Sequence, residues 1–215
     1  MIELHCMPGG ASMTPHLMLV ELGLPHTLRP VDRATQAHKT PAYLQLNPNG
    51  LVPTLVDGEL VLFETLAIVL HLCDTHPAAG LSPPVGTEGR AEFYKWGVWL
   101  SASLQSQMPM YFYSERYVAP GHAAAAAEVR AAADARIAAL VDQIEAQFAR
   151  HGGPWLLGER FSALDFYAFM LCRWTRGMQR PARTLPHIGA FLQRMLARPT
   201  VQRVLEVEGL APPWV

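Results

Sequence analysis

The segment HPAAGLSPPVG, residues 76–86, divides the chain into two parts with different hydrophobic rhythms. Proline and glycine at this density neither continue a helix nor hold a central strand, so the segment reads as a boundary. Before it, short runs alternate between strand and helix patterns. After it, apolar residues recur at steps of three and four. The expected fold is a mixed α/β domain over 1–76, a linker over 77–86 and an all-helical domain over 87–215.

Within the first part, IELH (2–5) is a strand candidate, followed by the loop MPGGASM. Thr14-Pro15 then makes a good N-cap and N1 pair. Leu17, Val20, Leu22 and Leu24 continue a helix that stops near Gly23 and Pro25. The run HTLRPVD (26–32) reads as a second strand, which Pro30 confines to an edge or a bend. Strand, helix, strand implies a parallel pair. A short helix is expected between Thr40 and Asn47. Asp57-Gly58, between two apolar runs, signals a two-residue hairpin. A helix from Thr65 to Asp74 completes the domain.

In the second part, one helix is expected over 90–113. Another is expected over 123–149, where Val129, Ala133, Ile137, Leu140, Val141, Ile144 and Phe148 share a face. Gly152-Gly153-Pro154 ends it. Ser162 and Asp165 match a capping box, which serves folding.

Half of the 215 residues are apolar, enough for a substantial core. A net charge of -1 leaves no basic stripe for nucleic acid and no polybasic membrane anchor. No apolar run approaches the ~18 to 20 residues of a membrane span. The start, MIELHCMPGG, lacks a signal-peptide pattern. Cys6, Cys73 and Cys172 form no CxxC pair and no zinc-ligand spacing, so a reducing cytosol is the expected compartment. The nine histidines show no metal-binding spacing either, and no metal is expected.

The motifs NPNGLVPTLVDG followed by FETLAIVLHL, then WLLGERFSALDFYAF, and the opening PGGASMTPHLML resemble the glutathione transferase family, the opening most of all its bacterial members. The resemblance spans nearly the whole chain. It implies a thioredoxin-like α/β domain followed by a helical bundle, with glutathione as co-substrate.

Carried onto this sequence, the resemblance implies a cis proline at Pro53, with Val52 offering its backbone to the cysteinyl part of glutathione. A peptide ligand then pairs with a strand edge. An ordinary strand-entry proline is the alternative. Glu64 and Thr65 open a helix whose free N–H groups suit the γ-glutamyl carboxylate, and a plain N-cap uses the same atoms. Lys39 is assigned to the glycyl carboxylate or is a solvated surface lysine, with His38 a weaker candidate. Leu51 stands where many members carry a polar side chain. Bacterial relatives have Tyr where Cys6 stands and Cys where Ala11 stands. Ser12, the next hydroxyl, is assigned to the glutathione sulfur, or else it turns the loop. Cys6 either forms a mixed disulfide with glutathione or is a buried structural thiol. Gln105 stands near a glutathione-binding His of relatives. Met108, Tyr111 and Phe112 are candidates for a hydrophobic substrate pocket.

The implied activity is conjugation of the glutathione thiolate to a hydrophobic electrophile by a cytoplasmic homodimer. The alternatives are a non-catalytic glutathione-binding or protein-interaction relative, and a glutathione-dependent reductase or isomerase.

Overall fold

A computed structural model describes all residues, 1–215, in two compact units. The first comprises Met1–Ser82 with Met195–Pro212, and the second Pro83–Arg194 with Pro213–Val215.

The first unit is built on a four-stranded mixed sheet in the order β2-β1-β3-β4, with β1 Ile2–Cys6, β2 His26–Pro30, β3 Thr54–Asp57 and β4 Leu60–Phe63. β1 and β2 run parallel, as the strand–helix–strand pattern requires, with α1 (Met13–Glu21) as the crossover. Pro30 is the last residue of the outer strand β2, where its missing N–H costs no ladder bond. The hairpin between β3 and β4 turns on Gly58 and Glu59, one residue later than expected, because Asp57 still pairs with Leu60. Gly58 takes φ +61°, which a glycine adopts freely. Alternation along β1 buries Leu4 and Cys6 on one face. α2 (Pro41–Leu46) is capped by the Thr40 hydroxyl, and α3 (Thr65–Thr75) packs beside α1.

The last helix, α9 (Pro199–Val207), also belongs to this unit and lies against α1. Val201, Val204 and Leu205 are its buried face. Arg198 and Thr200 both bind the carboxylate of Glu21 at the end of α1.

The second unit is helical: α4 Glu88–Trp99, α5 Met108–Phe112, α6 Ala123–His151, α7 Ala163–Trp174 and α8 Pro186–Leu196. α6 buries Ala133, Ile137, Val141, Ile144 and Phe148, the stripe expected from the sequence. α7 is buried from Ala163 to Arg173. Its first turn is held by Asp165, which accepts the Ser162 N–H at 2.7 Å and the Leu156 N–H at 2.8 Å.

The run 90–113 is not one helix. After α4 come a π turn, Leu100–Leu104, a 3-10 turn, Gln105–Gln107, and then α5. Pro109 is the physical cause. It lacks the N–H that an α-helix would aim at the Gln105 carbonyl, and its ring crowds that oxygen. No helix is long and apolar enough to cross a membrane.

Candidate functional site

The loop between β1 and α1 carries Met7 to Ser12, and its shape is set by bonds from three directions. Ser12 Oγ accepts the Met7 N–H and donates to the Met7 carbonyl, both at 3.0 Å. The Gly10 N–H closes on the same Met7 carbonyl. From α3, Thr65 Oγ1 donates to the Ala11 carbonyl at 3.3 Å. From the far end of the chain, Glu208 Oε2 accepts the Gly9 N–H at 2.7 Å, while Oε1 meets His16 Nδ1 at 2.8 Å. The His16 and Glu208 side chains are 2% and 4% exposed, so the pair is sealed from water.

This geometry changes the part expected of Ser12. Its side chain is fully buried and its proton is committed to Met7, so the hydroxyl shapes the loop and does not point at a ligand. The backbone N–H groups of Ala11 and Ser12 donate to no backbone carbonyl; Ser12 is fully buried, and Ala11, partly exposed, is the one the loop leaves open. They lie at the start of α1, where the helix dipole is positive.

Cys6 is buried at the end of β1, and burial, followed by the charge of Glu208, pushes its thiol up to about 11. A thiol so shifted stays protonated near neutral pH and makes a poor nucleophile. The three cysteines are free and buried.

Beside this loop stand the residues before β3. The Val52–Pro53 bond is cis, and the Val52 N–H and C=O make no backbone hydrogen bond. The preceding carbonyl, that of Leu51, is held from below by the Tyr43 hydroxyl at 2.7 Å and Asn47 Nδ2 at 2.9 Å. Tyr43 also meets Thr54 Oγ1 at 3.0 Å, so α2 braces both sides of Pro53. The Leu51 side chain is exposed. Gly50, at φ +57°, lies so close to its neighbours that a Cβ there would stand 2.7 Å from the His38 carbonyl and 2.8 Å from Lys39 Nζ. Lys39 Nζ itself donates to the Asn49 carbonyl at 3.1 Å.

α3 opens at Glu64, a non-glycine residue held at φ +73°, with an exposed side chain. Such a backbone conformation costs of order 1–3 kcal/mol and persists only where its surroundings impose it. It turns the chain sharply from β4 into α3, leaving the first N–H groups of the helix open. The Thr65 proton goes to Ala11, so Thr65 can serve a carboxylate through its N–H and not by donating its hydroxyl.

In the second unit, Met108 and Tyr111 are buried, and the Tyr111 hydroxyl is engaged by Gly177 and Arg130. Of the three apolar candidates only Phe112 is exposed; it packs edge-on against Trp174. Gln105 is half-buried, and its Oε1 accepts the hydroxyl proton of Tyr167. No group of His, Cys, Asp or Glu side chains is placed to hold a metal ion.

Sequence reasoning missed Tyr43, Asn47, His16, Glu208 and Tyr167. Asn47 carried a faint signal, as a polar residue inside the NPNG turn. Glu208 carried none, being 199 positions from Gly9.

A mixed sheet with a cis proline before its third strand, an open helix N-terminus beside it and a helical second unit define a glutathione transferase fold. Residues 11–75 match the N-terminal domain model of glutathione S-transferases, and residues 110–208 match the C-terminal domain model. Glutathione S-transferase GST-4.5 of Xanthomonas campestris is 34% identical over 97% of this chain and its own full length. The crystal structure of a glutathione transferase homolog from sulfitobacter, with bound glutathione, superposes with a TM-score of 0.88 at 29% identity, covering 98% of this chain and 99% of that one. The bacterial beta class enzyme of Sphingomonas chungbukensis gives 0.83 at 28% identity, covering 97% and 100%. The chain belongs to the glutathione S-transferase family.

Proposed function

We propose that this protein joins glutathione, through its sulfur, to an electrophilic and mostly apolar small molecule. The observation that carries the reading is the pairing, within the first unit, of an unbonded Val52 amide and carbonyl with the open N-terminus of α3. Those groups match the backbone and the γ-glutamyl carboxylate of a tripeptide. Glu64 pairs with its ammonium. Lys39 takes the glycyl carboxylate. Gln105 is assigned to glutathione and Phe112 to the electrophile, on the strength of the resemblance and of their partial or full exposure.

The reaction needs a thiolate, and a free thiol has a pKa of ~8.5. The donor proposed for the sulfur is the backbone N–H of Ala11, reinforced by the α1 dipole. The thiolate then attacks the electrophilic carbon, a C–S bond forms, and the leaving group departs with its electron pair. Holding nucleophile and electrophile together lowers the barrier further.

The test is the ultraviolet absorbance of the thiolate, followed against pH with glutathione bound. A midpoint at least about one unit below the free thiol, or ~1.4 kcal/mol of selective stabilisation, supports the reading. A midpoint at the free value overturns conjugation and favours a non-catalytic glutathione-binding protein. That second reading draws on one observation: the loop has no side-chain donor aimed outward. A thiol-based reductase finds no support in Cys6, which is buried and hard to ionise. A cytoplasmic homodimer belongs to the same proposal, by resemblance.

A further inference from the structure

We infer that the cleft between α2 and the sheet is a second binding site, shaped for a small flat aromatic acid. It lies wholly within the first unit, against β1 and β2, and has a volume of about 350 Å³. Small-molecule sites span ~300–1,000 Å³, so this one suits one or two fused rings. Strand alternation builds its floor. Leu4 and Cys6 occupy the buried face of β1, so Glu3 and His5 take the other, and the parallel register sets Arg29 beside His5. Val31, Ala42 and Leu46 supply apolar walls. Tyr43 completes the lining. Its hydroxyl is spent on Leu51 and Thr54, which leaves the ring for packing, and the His5 ring stands edge-on to it with centroids 5.6 Å apart.

The charge of the cleft selects the ligand. Burial, against the pull of Glu3 and with the help of Arg29, holds the His5 imidazole below its ordinary range, so near neutral pH it is uncharged and keeps one donor and one acceptor. Arg29 is then the one lining side chain that carries charge. It donates to Glu3 Oε1 at 2.6 Å, but the two side chains are 53% and 34% exposed. An ion pair so open to water is worth at most ~1 kcal/mol, and the guanidinium has further N–H groups to give. A ligand carboxylate can therefore take the place of Glu3. A flat ring packs against Tyr43 and His5 while its carboxylate meets the fork of Arg29. None of the lining residues is a candidate glutathione contact, so the site stands apart from the one proposed for the tripeptide.

The experiment titrates 2-naphthoate into the full chain near neutral pH and follows the backbone amide NMR shifts, with and without excess glutathione. The shifts should move at Val31, Ala37 and Ala42 with a Kd on the order of 1 mM or tighter, and glutathione should leave that Kd unchanged. The uncharged 2-naphthamide should bind about 2- to 5-fold more weakly. Arg29→Gln should weaken 2-naphthoate by the same factor and leave 2-naphthamide as it was. Glu3→Gln removes the resident competitor and should tighten 2-naphthoate by up to about fivefold. Ala42→Trp, at an exposed position of α2, should fill the cleft and abolish the shifts. The inference is overturned by no binding at millimolar probe, by shifts confined to other parts of the chain, by displacement with glutathione, or by unchanged affinity in Arg29→Gln or Ala42→Trp. Should a variant fail to fold, the shift map and the 2-naphthamide comparison on wild type decide. A wild type that takes 2-naphthoate in this cleft and no glutathione would remove the proposed function and leave this site standing.

Discussion

Gly9 and Glu208 stand 199 positions apart in sequence and 2.7 Å apart in space, joined by a backbone N–H and a carboxylate oxygen. The other oxygen of the same carboxylate meets His16 Nδ1, so one side chain from the end of the chain secures both the loop and the helix that follows it. Glu208→Ala would remove the carboxylate that accepts the Gly9 N–H and meets the His16 ring. We expect a loss of about 2–4 kcal/mol, read as a lower denaturation midpoint in urea with an unchanged m-value. Glu208→Gln, which keeps an acceptor for Gly9, should lose less.

Ser12→Ala separates loop shape from chemistry. It removes two hydrogen bonds to Met7 and should cost about 1–2 kcal/mol of stability. Turnover of a generic aromatic halide should stay within about threefold of wild type, because the Ala11 N–H survives the change. A collapse in kcat with glutathione binding intact would restore the hydroxyl to the mechanism.

The cysteines make a prediction about alkali. Burial first, and then Glu208, raises the Cys6 thiol to about 11, and burial alone raises Cys172 to about 12. In the unfolded chain both ionise near ~8.5. Above that pH the unfolded state has lost protons that the folded state still holds, so stability falls as pH rises from about 9 toward 11. Thermal melts across that range should show the decline, and Cys6→Ala should flatten it. At pH 8 a thiol reagent should modify the native protein far more slowly than the denatured one.

On the acid side the informative group is Glu145 of α6. Desolvation pushes its carboxyl up, but the N–H groups of His187 and Ile188 and the His187 ring outweigh that and hold it below the ordinary range. Both oxygens take part, at 3.0 and 2.7 Å to His187 and 2.9 Å to Ile188, so the carboxylate caps α8. A depressed folded pKa stabilises above the unfolded value of ~4.3 and loses that contribution as pH falls through it. Glu145→Gln should therefore lower the melting temperature at pH 7 and have little effect near pH 3.

The architecture was legible because each half has one rhythm: short alternating runs before residue 76, and steps of three and four after it. The boundary of the hairpin moved by one residue because Asp57 is a turn former that the ladder nonetheless pairs. The interruption near Gln105 had its cause in plain view, Pro109, but the run of aromatic and methionine residues around it masked a local break. The cis bond at Pro53 and the helix start at Glu64 were legible through motif and neighbourhood, which are local. Ser12 was read as a donor because a hydroxyl near a helix start is visible in one dimension, whereas its actual acceptor is a carbonyl reached only when the loop folds back. Glu208 was invisible for the opposite reason: nothing near it in sequence refers to Gly9.

The place of α9 in the first unit sets an order of events during synthesis. When residue 82 leaves the ribosome, the sheet and its three helices have all been made, yet the surface of α1 that takes Val201, Val204 and Leu205 is still bare. Residues 83–194 of the second unit must emerge before that surface is covered and the glycine-rich loop receives its carboxylate tether. The part of the protein made first is thus finished last, and a nascent chain stalled short of residue 208 has this loop fastened by Ser12 and Thr65 but not yet by Glu208.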